Sequence, residues 1–212
     1  MKRRLNRLFF VKPSLQVSKL LLGKYIVRKI GRKTLAGKIV ETEAYPGPYD
    51  KASHAYGIKK TPRNRAEYLE GGHIYIYLVY GMYWQLNIST GKEGYPECVL
   101  IRALEPIITN QSRIRIANNP ELENIRESKL EMDSRFCVAN GPGKLCRWLK
   151  LDKSFYGEDV TKSKRIWLSQ GEKIKPPQIA SGPRIGIDYA GAKWAKKPWR
   201  FYIKSNPCVS KR

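Results

Sequence analysis

At 212 residues and 24.4 kDa, with 42% apolar residues, the chain can bury one sizeable core, which excludes disorder along its whole length and favours one domain over two. No stretch approaches the roughly 20 uncharged apolar residues of a membrane span, and Leu8-Phe-Phe-Val11 is too short for a secretory core, so an intracellular protein is expected. Lys and Arg (41) outnumber Asp and Glu (18) to leave +23, concentrated at the ends: residues 1–38 hold 12 basic and no acidic side chains, and residues 189–212 hold 7 and none. Such a field attracts polyanions, with nucleic acid the leading candidate over a membrane surface. Cys98, Cys137, Cys146 and Cys208 form no CxxC pair and have only His54 and His73 for company, a pattern that argues against both a zinc site and a disulfide framework.

In chain order, residues 17–27 read as a short helix stopped at Gly23 and running into a strand. Residues 38–45 alternate as a strand, with Ile39, Glu41, Glu43 and Tyr45 on one face and Val40, Thr42 and Ala44 on the other. Residues 46–65 are a long polar loop. Residues 74–80 and 84–89 alternate again around a hairpin tip near residues 80–83, with Ile74, Ile76 and Leu78 assigned to the core. A strand at 98–104, a helix over 107–130 and a helix at 145–149 opened by Asn140-Gly-Pro-Gly143 follow. The last strands are expected at 183–187 and 199–203. The sum is one α+β domain with a mostly antiparallel sheet, preceded by a basic arm at residues 1–7.

Glu41 and Glu43, two strand rises apart, lie about 7 Å from one another, a spacing suited to glycosidic chemistry, although two exposed glutamates among lysines would look the same. What favours chemistry is their setting, since 8 of the 13 tyrosines fall between Tyr45 and Tyr83. Tyr75 and Tyr77 suit either core packing or stacking on a nucleobase. At the tip, Tyr80-Gly-Met-Tyr83 puts large apolar side chains where water selects polar ones, as a duplex wedge requires. Asn140-Gly-Pro-Gly-Lys-Leu145 lacks the spacing of a phosphate loop, and His73 has no triad-like partners.

Taken together, Val40-Glu-Thr-Glu-Ala-Tyr45, Ser53-His54, Thr61-Pro-Arg-Asn64, Tyr75-Ile-Tyr77, Tyr80-Gly-Met-Tyr83, Asn87-Ile-Ser89, Arg102-Ala-Leu-Glu-Pro106, Gly141-Pro-Gly-Lys-Leu-Cys146 and Lys197-Pro-Trp-Arg-Phe-Tyr202 resemble the alkyladenine (3-methyladenine) DNA glycosylase family, from about Leu8 to Ser210. The resemblance implies a single compact α+β domain with a curved, mostly antiparallel sheet, flanking helices and a protruding DNA-intercalating hairpin. It implies that the protein flips a damaged purine from duplex DNA and hydrolyses its N-glycosidic bond. By the same resemblance, Glu43 activates the water, while Arg102 and the Ile185 backbone carbonyl hold it. Tyr45, His54 and Tyr77 sandwich the base, Asn87 screens exocyclic amino groups, Tyr80 fills the vacated stack and Met82 assists. Glu41 receives no role. No metal, cofactor or lysine Schiff base is implied, and a monomer acting on double-stranded DNA is expected, in a bacterial cytoplasm and nucleoid or a eukaryotic nucleus. The rival readings are a non-catalytic binder of bent or damaged DNA, which has no reason to keep Glu43, and an RNA-binding module, which does not explain Glu43 with Arg102.

Overall fold

The computed structural model describes residues 3–107 and 137–210. Its organising element is a strand of 13 residues, β2 (Lys33–Tyr45), long enough to take two partners along one side. On that side its first half pairs with β1 (Tyr25–Ile30) and its second half with β8 (Arg200–Ile203); on the other it pairs with β5 (Cys98–Pro106). The hairpin of β3 (Ile74–Val79) and β4 (Tyr83–Ser89) extends the sheet beyond β5, β6 (Ile166–Ser169) lies outside β1, and β7 (Ile179–Gly182) pairs with β8. Every pairing is antiparallel, and the helices are short: α1 (Arg7–Phe10), α2 (Ser14–Leu21), α3 (Pro142–Trp148) and α4 (Ala192–Ala195). The architecture is one α+β domain with an open antiparallel sheet, as the residue pattern indicates. Among the described residues no helix is long and apolar enough to cross a membrane.

The expected helix-to-strand segment appears as α2 and β1, joined at Gly23, whose φ of +80° and whose approach to the Glu172 carbonyl leave no room for a side chain. Val17 and Leu21 of α2 pack into the main core with Ile26, Ile39, Ile74, Ile76, Leu86, Ile88, Val99 and Ile101. Leu78, expected there too, is half-buried and lies nearer the hairpin tip. The helix expected over 107–130 lies outside the described residues, apart from Ile107, whose N–H bonds the Ala36 carbonyl. The strand expected at 183–187 is absent: the β7 ladder ends at Gly182, before Pro183, which has no N–H to donate. From Arg3 the basic N-terminal segment lies along β6, with the Leu5 N–H on the Leu168 carbonyl and the Leu5 side chain buried.

Strict alternation in β2 also fails at one point. A bulge shifts the register on β5 between Ile39 and Thr42, so Ile39 opposes Leu104 while Glu41 opposes Ala103. Ile39 therefore faces the main core, and Val40 packs with Ala103 and Cys208 in a second cluster on the far side. The bulge brings Val40 and Glu41 toward the C-terminal tail, a contact that period-2 counting cannot anticipate.

That tail is anchored by a bond the cysteine spacing argued against. Cys137 and Cys208, 71 positions apart, form a disulfide with their Cα atoms 5.0 Å apart, while Cys98 and Cys146 are free and buried. Spacing rules detect metal knots and dense frameworks; a single long-range staple depends on how the chain folds back, which spacing does not encode. Closing a loop of this length restricts the unfolded chain, so Cys208→Ser should lower the free energy of unfolding by about 2–4 kcal/mol in denaturant titrations without reductant. The variant and the parent should converge when the parent is measured with excess dithiothreitol.

Candidate active site

Glu41 and Glu43 remain on one face of β2, and both carboxylates are fully buried. Apart from Arg102, which they share, their partners differ. Glu41 is held by structure: Oε1 accepts from Arg102 Nε and Arg200 Nη1, each at 3.1 Å, and Oε2 accepts from the Ser210 N–H at 2.8 Å. Glu43 is held at the wall of a cavity: Oε1 accepts from the Ile185 N–H at 2.8 Å and lies 3.3 Å from Arg102 Nη1, and Oε2 accepts from the Tyr45 hydroxyl at 2.9 Å. Arg102 thus bridges the two carboxylates, and the tail anchored by the disulfide reaches it a second time through the Ser210 hydroxyl at 3.4 Å.

The cavity occupies about 580 Å³, and its walls include Tyr45, His54, Tyr77, Asn87, Arg102 and Ile185. Six of the seven residues that the resemblance places around the base and the water therefore line one space, Glu43 being the exception. Tyr80 lines the same cavity from the hairpin, Glu43 lies directly behind Tyr45, Arg102 and Ile185, and Met82 is on the tip beyond the wall. The His54 ring packs edge-on against Tyr77 at 4.7 Å, and its Nδ1 shares a hydrogen bond of 2.6 Å with the Tyr75 hydroxyl. Tyr75, which the residues left between core and site, is buried and belongs to this wall.

The surrounding segments are fixed by side chains with no chemical task of their own. Asn64, in Thr61-Pro-Arg-Asn64, donates to the carbonyls of His54 (3.1 Å) and Lys59 (2.8 Å) and accepts from the Thr61 N–H (2.7 Å), which folds the polar loop back under His54. Asp50 and Arg184 form a fully buried ion pair, and Arg184 also donates to the Ala44 carbonyl at 3.0 Å and lies over the Tyr45 ring at 4.6 Å. Ile185 is the next residue, so this pair sets where its N–H points. On the other side Gly143 of α3 faces Tyr83 so closely that a Cβ would come within 2.9 Å of its ring. Neither Asp50 nor Arg184 was legible as a site residue, because only the folded chain brings positions 134 apart together.

Burial pushes the Glu43 carboxyl above its usual value; Arg102, the Ile185 N–H and the Tyr45 hydroxyl pull it back only in part. All three partners are donors, so the pocket is built around the ionised form. Burial opposes the Arg102 charge as well, but the two glutamates more than offset it and the guanidinium is held firmly protonated. His54 is lowered by desolvation and then by Arg63, which keeps its ring neutral at pH 7. Among the described residues no cluster of three or more His, Cys, Asp or Glu could hold a metal ion.

A buried carboxylate flanked by an arginine and a backbone N–H, set behind an aromatic cavity wide enough for a heterocyclic ring in a chain of charge +23, defines a base-excising hydrolase of the DNA glycosylase class. The comparisons agree. A family model described as methylpurine-DNA glycosylase matches residues 8–207, and the chain belongs to that family. A Methanocella arvoryzae relative that provisionally carries the 3-methyladenine DNA glycosylase name is 44% identical over 208 residues, covering 98% of this chain and 96% of that protein. The DNA-3-methyladenine glycosylase of Homo sapiens is 39% identical over 210 residues, 98% of this chain and 68% of the human protein.

The two glutamates should respond oppositely to amidation. Glu41→Gln leaves Arg102 and Arg200 without their shared buried carboxylate and should cost about 3–5 kcal/mol of stability. Glu43 ionises less readily folded than unfolded, so its charge opposes folding at neutral pH, and that penalty vanishes as pH falls through the ordinary carboxylate value of 4.5. Thermal melts should therefore show Glu43→Gln at or above the parent at pH 7, with the difference closing in acid.

Proposed function

We propose that the chain excises alkylated or deaminated purines from duplex DNA, leaving an abasic site, with Glu43 as the base that activates water. The observation that carries this reading is the position of Glu43: fully buried, surrounded by donors, and bonded to Tyr45, Arg102 and Ile185, all three of which line the cavity. Glu41, by contrast, takes two of its three hydrogen bonds from Arg200 and the Ser210 N–H, neither of which lines the cavity.

In this reading a flipped purine enters between Tyr45 and the His54–Tyr77 pair, and Asn87 screens its edge. Breaking the glycosidic bond leaves an oxocarbenium-like sugar, which a nearby carboxylate stabilises. Glu43 takes a proton from water held with the help of Arg102 and the Ile185 carbonyl, the hydroxide oxygen bonds to the anomeric carbon, and the C–N electron pair departs with the purine. A purine alkylated on a ring nitrogen leaves as a neutral molecule, and its positive charge is attracted to electron-rich tyrosine faces.

The duplex is engaged by the hairpin tip and the basic ends. Tyr80 is 84% exposed with φ +53°, followed by Gly81 at +67° and the exposed Met82. Two successive positive φ values suit a tight hairpin turn, but a tyrosine at the first of them is strained, and strain on an exposed ring is retained where the ring acts, here as the wedge that replaces the flipped base. The protein is proposed to act as a monomer.

Single-turnover excision from a duplex holding one 7-methylguanine tests the assignment. Glu43→Gln should lower the rate by at least a hundredfold while its affinity for the same duplex is held or raised. A near-parental rate would refute the role of Glu43, and equal losses of rate and affinity would favour the non-catalytic reading.

A further inference from the structure

The cavity wall contains one carboxyl for which the resemblance provides no task. Glu67 belongs to a short helical turn, Arg65–Tyr68, placed by the Asn64 loop and by the Ala66 N–H on the Tyr156 hydroxyl at 2.9 Å. Its side chain lines the cavity beside Tyr75, Tyr77, Asn87 and Cys98, and the residue is 2% exposed. One oxygen, Oε1, accepts from the Cys98 thiol at 3.5 Å; the same sulfur lies 3.9 Å from Asn87 Oδ1. The other, Oε2, is buried without a hydrogen-bond partner.

We propose that Glu67 is a specificity-determining residue: a neutral carboxylic acid that donates a hydrogen bond through Oε2 to an acceptor, a keto oxygen or a ring nitrogen, on the edge of an uncharged purine in the cavity. The inference rests on the reading of the cavity as a base pocket. A carboxyl with one oxygen occupied and one unmet, in a wall shared with the residue proposed to screen the base, is a donor awaiting a ligand, because a buried polar atom left unpaired is costly. A carboxylate there would only accept and would favour a cationic base; the acid form favours a neutral one.

The surroundings keep it in the acid form. Burial raises its pKa to about 8, against a weaker opposing hydrogen bond from Cys98. The titratable groups that face it are the Cys98 thiol and the hydroxyls of Tyr68, Tyr75, Tyr77 and Tyr156, all neutral at pH 7. Two cations share the cavity wall: Arg63 lies 5.3 Å over the Tyr77 ring, and Arg102 is paired with Glu41 and Glu43; the neutral His54 ring is bonded to Tyr75. The neutral-base preference is therefore full below the folded pKa and is lost as pH rises through about 8.

The test measures single-turnover excision from two duplexes of one sequence, one holding hypoxanthine, a neutral purine with a keto acceptor, and the other 7-methylguanine, a cation. Glu67→Met, of similar length with no donor, should lower the hypoxanthine to 7-methylguanine rate ratio at least tenfold at pH 7 and melt no lower than the parent. Glu67→Gln, which keeps a donor, should hold most of the ratio and lose its decline above pH 8. A ratio unchanged in Glu67→Met, or a parent that excises 7-methylguanine but not hypoxanthine, would overturn the role of Glu67. A parent that excises neither lesion would overturn the reading of the cavity itself. A purely structural carboxyl would lower both rates and the melting temperature together and leave the ratio as it was.

Discussion

Arg102 is the side chain on which the site depends, because one guanidinium spans two buried carboxylates that a single strand presents side by side. A guanidinium suits this position and an ammonium would not: its planar fork can meet Glu41 through Nε and Glu43 through Nη1 at the same time. The two acids are then divided by their remaining partners. Glu41 takes a second arginine and the tail N–H and becomes part of the framework. Glu43 takes a backbone N–H and a phenol, both from residues that line the cavity. Two identical residues, two positions apart, thus differ in setting because of what three other segments bring to them.

Those segments explain the topology. β2 must be long because its first half anchors the sheet through β1 while its second half carries the site between β5 and β8. β5 supplies Arg102, β8 supplies Arg200, and the loop after β7 supplies Ile185, positioned by the buried Asp50–Arg184 pair. The disulfide holds the chain end against this assembly, so the final described residue, Ser210, reaches the heart of the network. The hairpin tip lies outside these constraints, and Tyr80 and Met82 are exposed there.

Much of this was legible in the residues, and the failures have physical causes. Period-2 patterns located β2, β3 and β4, because each of these strands has one face on an apolar core. The β2 bulge was not legible, since an inserted residue leaves composition and alternation nearly intact. β7 was misplaced by a few residues because it ends at a proline whose neighbours look equally extended. The cavity-lining Tyr45, His54 and Tyr77 could be named from the resemblance, but Glu41, Asp50 and Arg184 act through long-range ion pairs that no local pattern announces. Glu67 was missed for a related reason: it sits in a polar stretch where glutamate is ordinary, and only burial makes it unusual.

The central claim is that Arg102 tunes a buried Glu43 that works in its ionised form. The most direct measurement is the pH dependence of single-turnover excision of 7-methylguanine, compared between the parent and Arg102→Lys. The account predicts that the acid limb of the parent lies above the ordinary carboxylate value of 4.5, because burial outweighs the donors, and that it moves further toward neutrality in Arg102→Lys, which cannot reach both acids. An acid limb at or below 4.5, or one that Arg102→Lys leaves in place, would contradict it.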